Sequence, residues 1–405
     1  MRLLVVSHYF WPENFRINDL VQEFIRRGHQ VTVLTANTNG VDQLALEQYE
    51  NSPGSFKSFK GAQVIRVPVV RRDGSIFRLL LNYSSFLITS LTLGLRKLKG
   101  EQFDVVFVYQ PSPITAGIPG LFFGRLTGAP VVLWVLDLWP DVLSTVTQIQ
   151  SRYILGLARA ITKFIYKRCS LILIQSRAFR RSVERHCLDA SKVRYFPSWS
   201  DVEYDELAQT RSPRIRNFEG FTVLFAGNLG EAQDIPSILK AAKLTSHSSK
   251  IRWVIVGDGK KIKWLKREIS RQGLGEIVCA PGRFALEEMP SVFAHADALL
   301  VSLKSGPGLN ETIPGKLQSY LSAGIPLVGM IDGEAARVIS QSGAGFVCSS
   351  GDSEALAATV VRLSRMTSEE LERFGDNARS YYAEEFSRSM LMNKLERMLE
   401  EVQKP

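Results

Sequence analysis

Short apolar runs alternate with amphipathic stretches along this chain, and the alternation begins again near residue 220. In the first half the apolar runs predict strands at Arg2–Ser7, Gln30–Thr35, Val64–Val70, Asp104–Tyr109 and Val131–Leu136. In the second half they predict strands at Thr222–Ala226, Ile251–Val256, Ala298–Leu303 and Leu327–Met330. Because strands that alternate with helices form parallel sheets covered on both faces, the pattern predicts an α/β fold of two doubly wound, Rossmann-like domains.

The segment between the two halves lacks periodicity. Residues Pro197–Gly220 are mostly polar, so we place a linker within them, at residues 200–218. The predicted domains are then residues 1–199 and 219–375, and we expect residues 376–405 to form a C-terminal helical segment that packs back on the first domain. Sheets of this kind bind ligands at the carboxyl ends of their strands, so we expect the two domains to face each other across a cleft.

The composition is typical of a soluble two-domain enzyme, with 405 residues of which 45% are apolar and 22% charged. The four cysteines form no CxxC pair, and with the five scattered histidines they give no metal-ligand spacing, so we expect reduced thiols and no metal. No GxGxxG follows the first strand and no Walker A loop occurs, which disfavours nicotinamide redox chemistry and ATP hydrolysis by a P-loop. We expect no cofactor. The N-terminal apolar run is too short for a signal peptide and predicts a first strand. The dispersed cysteines favour reduced thiols in a cytoplasmic protein.

Positive charge is concentrated in the first half. Residues 1–199 carry 25 Lys and Arg against 13 Asp and Glu, whereas the remainder carries 25 against 27. Since no nucleic-acid-binding motif accompanies this excess, an anionic membrane leaflet is the better candidate partner and nucleic acid is not expected. The apolar stretch Ile76–Leu95 is interrupted by polar residues, and the helix predicted at Tyr153–Arg168 sets apolar side chains beside basic ones. Burial of both apolar faces is the favoured interpretation, with peripheral membrane docking as the alternative.

The segment Gly306–Pro326 is the strongest candidate for a binding site. It follows the apolar run Ala298–Leu303, is rich in Gly and Pro, and opens a predicted helix that ends at Gly324. A strand, a Gly-rich loop and a helix N-terminus favour an anion such as a phosphate, and Lys316 adds a positive charge in the first turn. An ordinary strand-to-helix connection is the alternative.

Other strand-to-loop positions carry candidate chemistry. Gly257 follows one predicted strand, and Arg283 follows another, where it could clamp a phosphate or simply be solvated. Aromatic and polar residues in Trp11–Asp19 suit a polar ligand such as a sugar, although helix capping by Asn14 or Asn18 explains part of that segment. Asp137 could hydrogen-bond a sugar hydroxyl or transfer a proton, with capping of the next helix as the alternative.

Several motifs, in this order along the chain, resemble those of the GT-B glycosyltransferases of glycosyltransferase family 4. The matching segments are Arg26–Thr35, Val256–Gly259 and Ala323–Pro326 for the family, and Tyr9–Glu13, Trp134–Asp141 and Gly227–Gln233 for a branch that includes the putative L-fucosamine transferases of bacterial surface-polysaccharide assembly. The resemblance implies a GT-B fold and retaining transfer from a nucleotide sugar, usually a UDP-sugar, without a metal. Departure of the diphosphate would be assisted by positive charge at a helix N-terminus.

The chain departs from the family's pattern at several positions. The second glutamate of the family's E-x7-E pair is replaced by Ser319, whereas the first is present as Glu311. The Arg and Lys usual after the second domain's first strand are replaced by Asn228 and Gln233. Leu136 stands where the family has a histidine. Either the branch binds an unusual deoxy-amino sugar through Lys316 and Arg283, or the chain has lost catalysis.

The resemblance and the residues together give the following assignments. The predicted catalytic residues are Lys316, Glu311 and Asp137. The predicted donor-binding residues are Gly227, Asn228, Gly230, Gln233, Gly257, Arg283, Pro314, Gly315 and Ser319. The predicted acceptor-binding residues are Glu13, Asn14 and Arg16.

These assignments lead us to expect a UDP-sugar transferase that acts on a polyprenyl-diphosphate-linked saccharide in O-antigen, capsule or exopolysaccharide synthesis. We expect it to work as a peripheral protein at the cytoplasmic face of the membrane. A GT-B sugar-nucleotide epimerase and a catalytically inactive scaffold of an assembly complex are the alternatives.

Overall fold

The structure, a computed structural model, describes residues 1–38, 43–72, 75–146, 151–200, 210–247 and 250–403. The chain divides into two units, of which the first consists of Met1–Phe196 together with Met392–Pro405 and the second of Pro197–Leu391. Within the predicted linker, residues 201–209 lie outside the described residues.

The first unit contains an eight-stranded sheet. Its strands are β1 (Arg2–Ser7), β2 (Gln30–Ala36), β3 (Ser58–Phe59), β4 (Ala62–Val67), β5 (Val105–Gln110), β6 (Val131–Val135), β7 (Leu171–Ile174) and β8 (Val193–Tyr195). They lie in the order β3-β4-β2-β1-β5-β6-β7-β8, and neighbours are parallel except for the antiparallel pair β3 and β4. All six residues of β5 are buried, because a strand in the middle of a parallel sheet is covered by helices on both faces.

In the described residues of the first unit, the α-helices before the second unit are eight in number. They are α1 (Arg16–Arg26), α2 (Gln43–Asn51), α3 (Ile76–Thr89), α4 (Leu95–Lys97), α5 (Gly117–Thr127), α6 (Asp141–Val146), α7 (Arg152–Arg168) and α8 (Phe179–Glu184). A π-helical turn, Ser90–Gly94, joins α3 to α4. The predicted helix at residues 76–95 is therefore a composite of three helical pieces.

The second unit contains a six-stranded parallel sheet. Its strands are β9 (Phe221–Ala226), β10 (Ile251–Val256), β11 (Val278–Gly282), β12 (Ala298–Ser302), β13 (Leu327–Met330) and β14 (Gly345–Cys348). Their order, β11-β10-β9-β12-β13-β14, places the first strand of the unit beside the fourth. The helices are α9 (Ile235–Leu244), α10 (Ile262–Arg271), α11 (Met289–Phe293), α12 (Gly315–Ala323), α13 (Gly333–Ser342), α14 (Ser353–Leu363) and α15 (Ser368–Glu385).

The C-terminal segment differs from the expectation. It forms two helices, α15 and α16 (Arg388–Gln403), and the chain rejoins the first unit at Met392 and not at residue 376. Helix α15 stays with the second unit because Ala378 and Tyr382 are part of that unit's core, and because Arg379 Nη1 donates to the Gly324 carbonyl at 3.2 Å. Helix α16 contacts the first unit through Glu396, whose carboxylate accepts from Arg27 Nη1 at 2.5 Å and pairs with His29 Nε2 at 2.8 Å.

Candidate functional sites

In the second unit, the loops that follow β9 and β12 flank the point where the strand order reverses. Ligands of doubly wound sheets bind at this point, at the carboxyl ends of the strands. The two loops are tied together: Ser302 Oγ donates to the Gln233 carbonyl at 2.9 Å, and the Lys304 amide donates to the Ala232 carbonyl at 2.7 Å. The loop that held the strongest sequence signal thus lies against the loop after β9.

Two glycines allow the backbones after β9 and β10 to touch. Gly227 and Gly257 have φ values of +149° and +138°, which favour glycine. A Cβ added to Gly257 would lie 1.9 Å from the Gly227 carbonyl oxygen, so any larger residue would push the loops apart. The Gly257 amide donates to the Gly282 carbonyl at 2.9 Å, so that amide is not available to a nucleotide.

Lys316 lies in the first turn of α12, beside the Gly227 loop. Its Nζ donates to Gln233 Oε1 at 2.8 Å and lies 3.7 Å from the centroid of the Phe225 ring. A Cβ on Gly227 would lie 2.9 Å from the same Nζ, so glycine at that position leaves room for the ammonium group. The structure therefore brings together Gly227, Gln233 and Lys316, three residues that sequence analysis assigned to donor binding and catalysis.

The Lys316 ammonium carries a charge that the protein itself leaves unbalanced. Among the residues that the structure describes, no carboxylate lies within ion-pair distance of Lys316. Burial lowers the pKa of Lys316 to about 7 because the charged form loses hydration without gaining a counter-ion. An anionic ligand at the N-terminus of α12 would supply that counter-ion, and the helix dipole favours an anion at the same place.

The other residues predicted for this site are more dispersed. Glu311 Oε2 accepts from the Gly308 amide at 2.7 Å, so its carboxylate orders its own loop, and Ser319 Oγ accepts from Ser200 Oγ at 3.1 Å. Pro314 and Gly315 form the start of α12, as expected. Asn228 is exposed, and Gly230 directly precedes the 3-10 turn Glu231–Gln233 of the same loop. Arg283 is also exposed and follows β11, which is two strands away from β9.

Two contacts at this site were missed by the sequence analysis. The Tyr320 hydroxyl accepts from the Ala226 amide at 2.7 Å and donates to the Ala226 carbonyl at 3.0 Å, which fixes α12 against the end of β9. Glu231 pairs with Lys261 at 2.8 Å and with Lys304 at 3.7 Å across three loops. No pattern along the chain signals either contact, because the partners are separated by tens of residues.

In the first unit, the predicted acceptor-binding residues lie in the loop between β1 and α1. Asn18, which was considered as a helix cap, instead fastens this loop: its Nδ2 donates to the Glu13 carbonyl at 2.7 Å, and its Oδ1 accepts from the Trp11 amide at 2.9 Å. Glu13 is buried, and Asn14 is exposed. Arg16 is 3.6 Å from the Asp19 carboxylate, so part of its charge is balanced within the helix.

Asp137 follows β6, which pairs with β5 at the centre of the sheet. Two buried or partly buried amides fix the backbone around it: Gln175 Nε2 donates to the Leu136 carbonyl at 2.6 Å, and Gln110 Nε2 approaches the Asp137 carbonyl at 3.5 Å. Burial raises the pKa of Asp137 to about 7. A carboxyl group that titrates near neutral pH can donate or accept a proton under physiological conditions.

The sequence also did not predict a polar cluster around His8, which directly follows β1. His8 Nε2 pairs with Asn82 Oδ1 at 2.9 Å, and Asn82 Nδ2 donates to the Val70 carbonyl at 2.6 Å. Arg72 Nε donates to the same Asn82 oxygen at 3.2 Å, and its guanidinium lies over the ring of Tyr9. Asn82 was visible in the sequence as a polar interruption of an apolar stretch, and its side chain ties α3 to His8 and Val70.

A cavity of about 590 Å³ lies beside β4. Its lining includes Tyr49, Phe56 and Arg66, and the Phe56 ring packs on that of Trp11 with centroids 4.4 Å apart. Arg66 Nη1 donates to the Ala36 carbonyl at 3.0 Å, which holds the guanidinium against the sheet. Aromatic rings next to hydrogen-bond donors suit a sugar ring, which has apolar faces and polar edges.

The expectation that the apolar faces of α3 and α7 are buried is wrong for much of both helices. Phe77 is 67% exposed and Ile88 61% exposed on α3, and Tyr153 and Leu157 are 75% and 64% exposed on α7. By length and composition alone, the helical stretch Ile76–Lys97 could cross a membrane, and 17% of its most apolar window is buried. Each of the two helices therefore presents apolar side chains to the outside of the unit.

Two protein families match the chain, one in each half. Residues 14–199 match the family described as Glycosyl transferase 4-like domain, and residues 209–381 match the family described as Glycosyl transferases group 1.

Within the part of the chain that the structure describes, no group of three or more His, Cys, Asp and Glu side chains could hold a metal ion.

Among curated proteins, the chain is similar to the putative colanic acid biosynthesis glycosyl transferase WcaI of Escherichia coli strain K12. The two are 25% identical over 346 residues, which cover 80% of this chain and 82% of that protein. The probable glycosyltransferase WbjE of Pseudomonas aeruginosa is 25% identical over 271 residues, covering 65% of this chain and 66% of WbjE.

Among solved structures, the chain is similar to Anabaena Alr3699/HepE in complex with UDP and glucose. The TM-score is 0.68 at 15% identity, and the match covers 98% of this chain and 99% of that chain. At this identity the likeness concerns the fold, which is the GT-B fold of two doubly wound parallel-sheet domains.

Proposed function

We propose that this chain, a glycosyltransferase built from a glycosyl transferase 4-like domain and a glycosyl transferases group 1 domain, moves a sugar from a UDP-sugar to a lipid-linked glycan in bacterial surface-polysaccharide synthesis. The proposal rests above all on Lys316. Its ammonium group lies at the N-terminus of α12, and no described carboxylate pairs with it. A diphosphate is the ligand whose charge matches that position.

The proposed mechanism assigns distinct tasks to the residues around the diphosphate. Lys316 and the amides of the first turn of α12 balance the negative charge that grows on the diphosphate as the sugar–phosphate bond breaks. Gln233 orients the Lys316 ammonium through its 2.8 Å hydrogen bond. The family usually has a lysine at the position of Gln233. Because Gln233 is uncharged, Lys316 supplies the positive charge instead.

Asp137 is the proposed proton-transfer group of the first unit. Its pKa of about 7, raised by burial, allows it to exist in either protonation state at neutral pH. Glu13, Asn14 and Arg16 remain proposed acceptor contacts, and the cavity beside β4 offers aromatic surfaces for the glycan.

Relatives support the biological setting of the proposal. WcaI is named for colanic acid biosynthesis, and Alr3699/HepE was solved with UDP and glucose. By extension we propose a UDP-sugar as donor and a polyprenyl-diphosphate-linked saccharide as acceptor. An N-acetyl-L-fucosamine or another deoxy-amino sugar is the proposed group transferred, with retention of configuration.

A peripheral position on the cytoplasmic membrane leaflet fits the exposed side chains of α3 and α7. Phe77, Ile88 and Leu157 would enter the interface, and the surrounding cations would pair with anionic lipids. We expect the protein to sediment with anionic vesicles at low salt, and the variant Phe77→Ser/Ile88→Ser to sediment less. Leu188→Ser is the matched control, because Leu188 is exposed but lies outside both helices. Equal sedimentation of all three proteins would contradict this placement.

The decisive experiment for the function is a thermal-shift panel with UDP, GDP, ADP and their sugars. Stabilisation by UDP and UDP-sugars, with slow hydrolysis of one UDP-sugar, is the expected result. An epimerase would interconvert free UDP-sugars without any acceptor, and an inactive scaffold would neither hydrolyse them nor be stabilised by UDP. Stabilisation by none of the nucleotides would refute the proposed function.

A further inference from the structure

The first unit contains a second cavity, of about 180 Å³, enclosed by the segment after β6 and by helices α7 and α8. Residues 138–141 form one wall. The opposite walls carry hydrogen-bond donors from Arg159, Tyr166, Ser182 and Arg185, together with the His186 ring. This volume is large enough for a phosphate or diphosphate group and small for a sugar nucleotide.

The side chains that line this cavity include two arginines, Arg159 and Arg185, and one carboxylate. Neither Arg159 nor Arg185 has an acidic group within ion-pair distance among the residues that the structure describes. The lining does include the Asp141 carboxylate, which offsets one of these charges. The pKa of His186 is lowered, first by burial and then by Arg159, with Lys163 and Arg185 acting in the same direction and Asp141 opposing them.

Tyr166 gives independent evidence for a ligand. Its side chain is 1% exposed, and its hydroxyl has no hydrogen-bond partner in the described part of the chain. Burial raises its pKa, so the hydroxyl keeps its proton and remains a donor. A buried donor without an acceptor costs free energy, and because Tyr166 lines the cavity, an oxyanion that reaches its hydroxyl from there would supply the missing acceptor.

The helix that supplies Arg159 and Tyr166 also presents an apolar surface. Tyr153, Leu157 and Phe164 are exposed on α7, about one third to one half of a turn around the helix from Arg159. A ligand that joins a phosphate to a hydrocarbon chain would reach both surfaces by passing around this helix, from the cavity to its exposed side. Nucleotides and free phosphate would use the cationic surface alone.

We infer that this cavity binds the diphosphate of the lipid-linked acceptor, with its hydrocarbon chain lying along the apolar surface of α7. The inference rests on the proposed function and adds to it the place where the lipid end of the acceptor is held. Arg159, Arg185 and Tyr166 bind the phosphate oxygens in this arrangement. They are binding residues and take no part in bond breaking.

Binding of farnesyl diphosphate, inorganic diphosphate and farnesol to the full chain tests the inference. We expect farnesyl diphosphate to bind more tightly than either of the other two, because it alone uses both surfaces. In the variant Arg159→Gln/Arg185→Gln we expect its Kd to rise by about tenfold or more, and in Tyr166→Phe by about fivefold. The matched control is Lys167→Gln/Arg181→Gln, which removes two charges from the same helices outside the cavity and leaves Kd within about twofold.

Three outcomes would overturn the inference. Equal weakening in the cavity variant and the control would indicate general attraction to a basic surface. Equally tight binding of inorganic and farnesyl diphosphate would indicate a free-phosphate site. Absence of binding by either diphosphate would indicate no anion site at all. The UDP-induced thermal shift, measured on the same samples, reports on the second unit, so failure of this inference is distinguishable from failure of the proposed function.

Discussion

Replacing Lys316 by methionine separates the charge of this residue from its packing. Methionine keeps an unbranched apolar side chain against Phe225 but removes the ammonium that donates to Gln233. A hydrogen bond between charged partners contributes about 1.5–3 kcal/mol. At pH 7 about half of the wild-type Lys316 is unprotonated, because its pKa is about 7, and protonating it on binding costs about 0.4 kcal/mol. We therefore expect Lys316→Met to weaken UDP-glucose binding by about 1–2.5 kcal/mol, or about 5- to 70-fold.

The pH dependence gives the sharper measurement. The anion binds the protonated form of Lys316, so the wild-type affinity for UDP-glucose should be constant well below pH 7 and fall by up to about tenfold per unit above it. UDP-glucose is the right probe because its diphosphate keeps one charge state in this range. Isothermal titration calorimetry between about pH 6 and pH 8.5 should show this slope in the wild type and a flat profile in Lys316→Met.

Stability should change in the opposite direction to affinity. The folded-state pKa of Lys316 lies below that of the unfolded chain, so between the two values the unfolded chain binds more protons and stability rises with pH. Without ligand, Lys316→Met should therefore have a higher Tm than the wild type at pH 7. The control is Lys304→Met, at an exposed lysine that pairs with Glu231 at 3.7 Å, which should alter neither quantity much. Unchanged affinity in Lys316→Met, or the same pH slope in both proteins, would refute the reasoning.

Three further predictions concern other parts of the molecule. Asp137→Asn should lower the rate of sugar transfer by about a hundredfold and leave the UDP thermal shift unchanged. The rate of the wild type should change near pH 7, where Asp137 titrates. If the variant lost UDP binding instead, Asp137 would not act only in the first unit. Gly257→Ala should destabilise the protein by about 3 kcal/mol or more, because its Cβ would overlap the Gly227 carbonyl. The control is Gly156→Ala on α7, where the added Cβ meets no other described part of the protein within 4 Å, and which should stabilise the protein by about 0.5–1 kcal/mol. Similar Tm values for the two variants would rule this out. Glu396→Gln should lower the free energy of unfolding by about 1 kcal/mol at neutral pH. Burial raises the pKa of Glu396, but the hydrogen bonds from His29 and Arg27 outweigh it, so the pKa is lowered overall. The stability difference between the variant and the wild type should therefore vanish as the pH falls through that pKa, and a difference that stays constant in acid would argue against an ionic origin.

Most of the strands could be predicted from the sequence because each is a short apolar run between polar segments. The bounds of β10 and β13 agree with the predicted runs Ile251–Val256 and Leu327–Met330. The strand β14 (Gly345–Cys348) was not predicted because its apolar run is only three residues long, and β7 (Leu171–Ile174) was not predicted although all of its residues are apolar. The break between α15 and α16 was missed because the apolar spacing continues through it.

The site was predictable as far as local chemistry determines it. A lysine in the first turn of a helix after a Gly-rich loop indicates an anion site, but its partner Gln233 is 83 residues away in the chain. The exposure of Tyr153 and Leu157 could not be predicted, since periodicity identifies an apolar face without telling whether another element covers it.

The lowered pKa of Lys316 has a chemical consequence as well as an electrostatic one. An ordinary lysine is protonated at neutral pH and is a poor nucleophile, whereas about half of Lys316 is a free amine. In the ligand-free protein a small uncharged aldehyde should therefore condense with Lys316 Nζ to form an imine, with release of water, and borohydride would make the adduct permanent. UDP-glucose should protect the residue, because a bound diphosphate favours the protonated ammonium, which cannot form the imine.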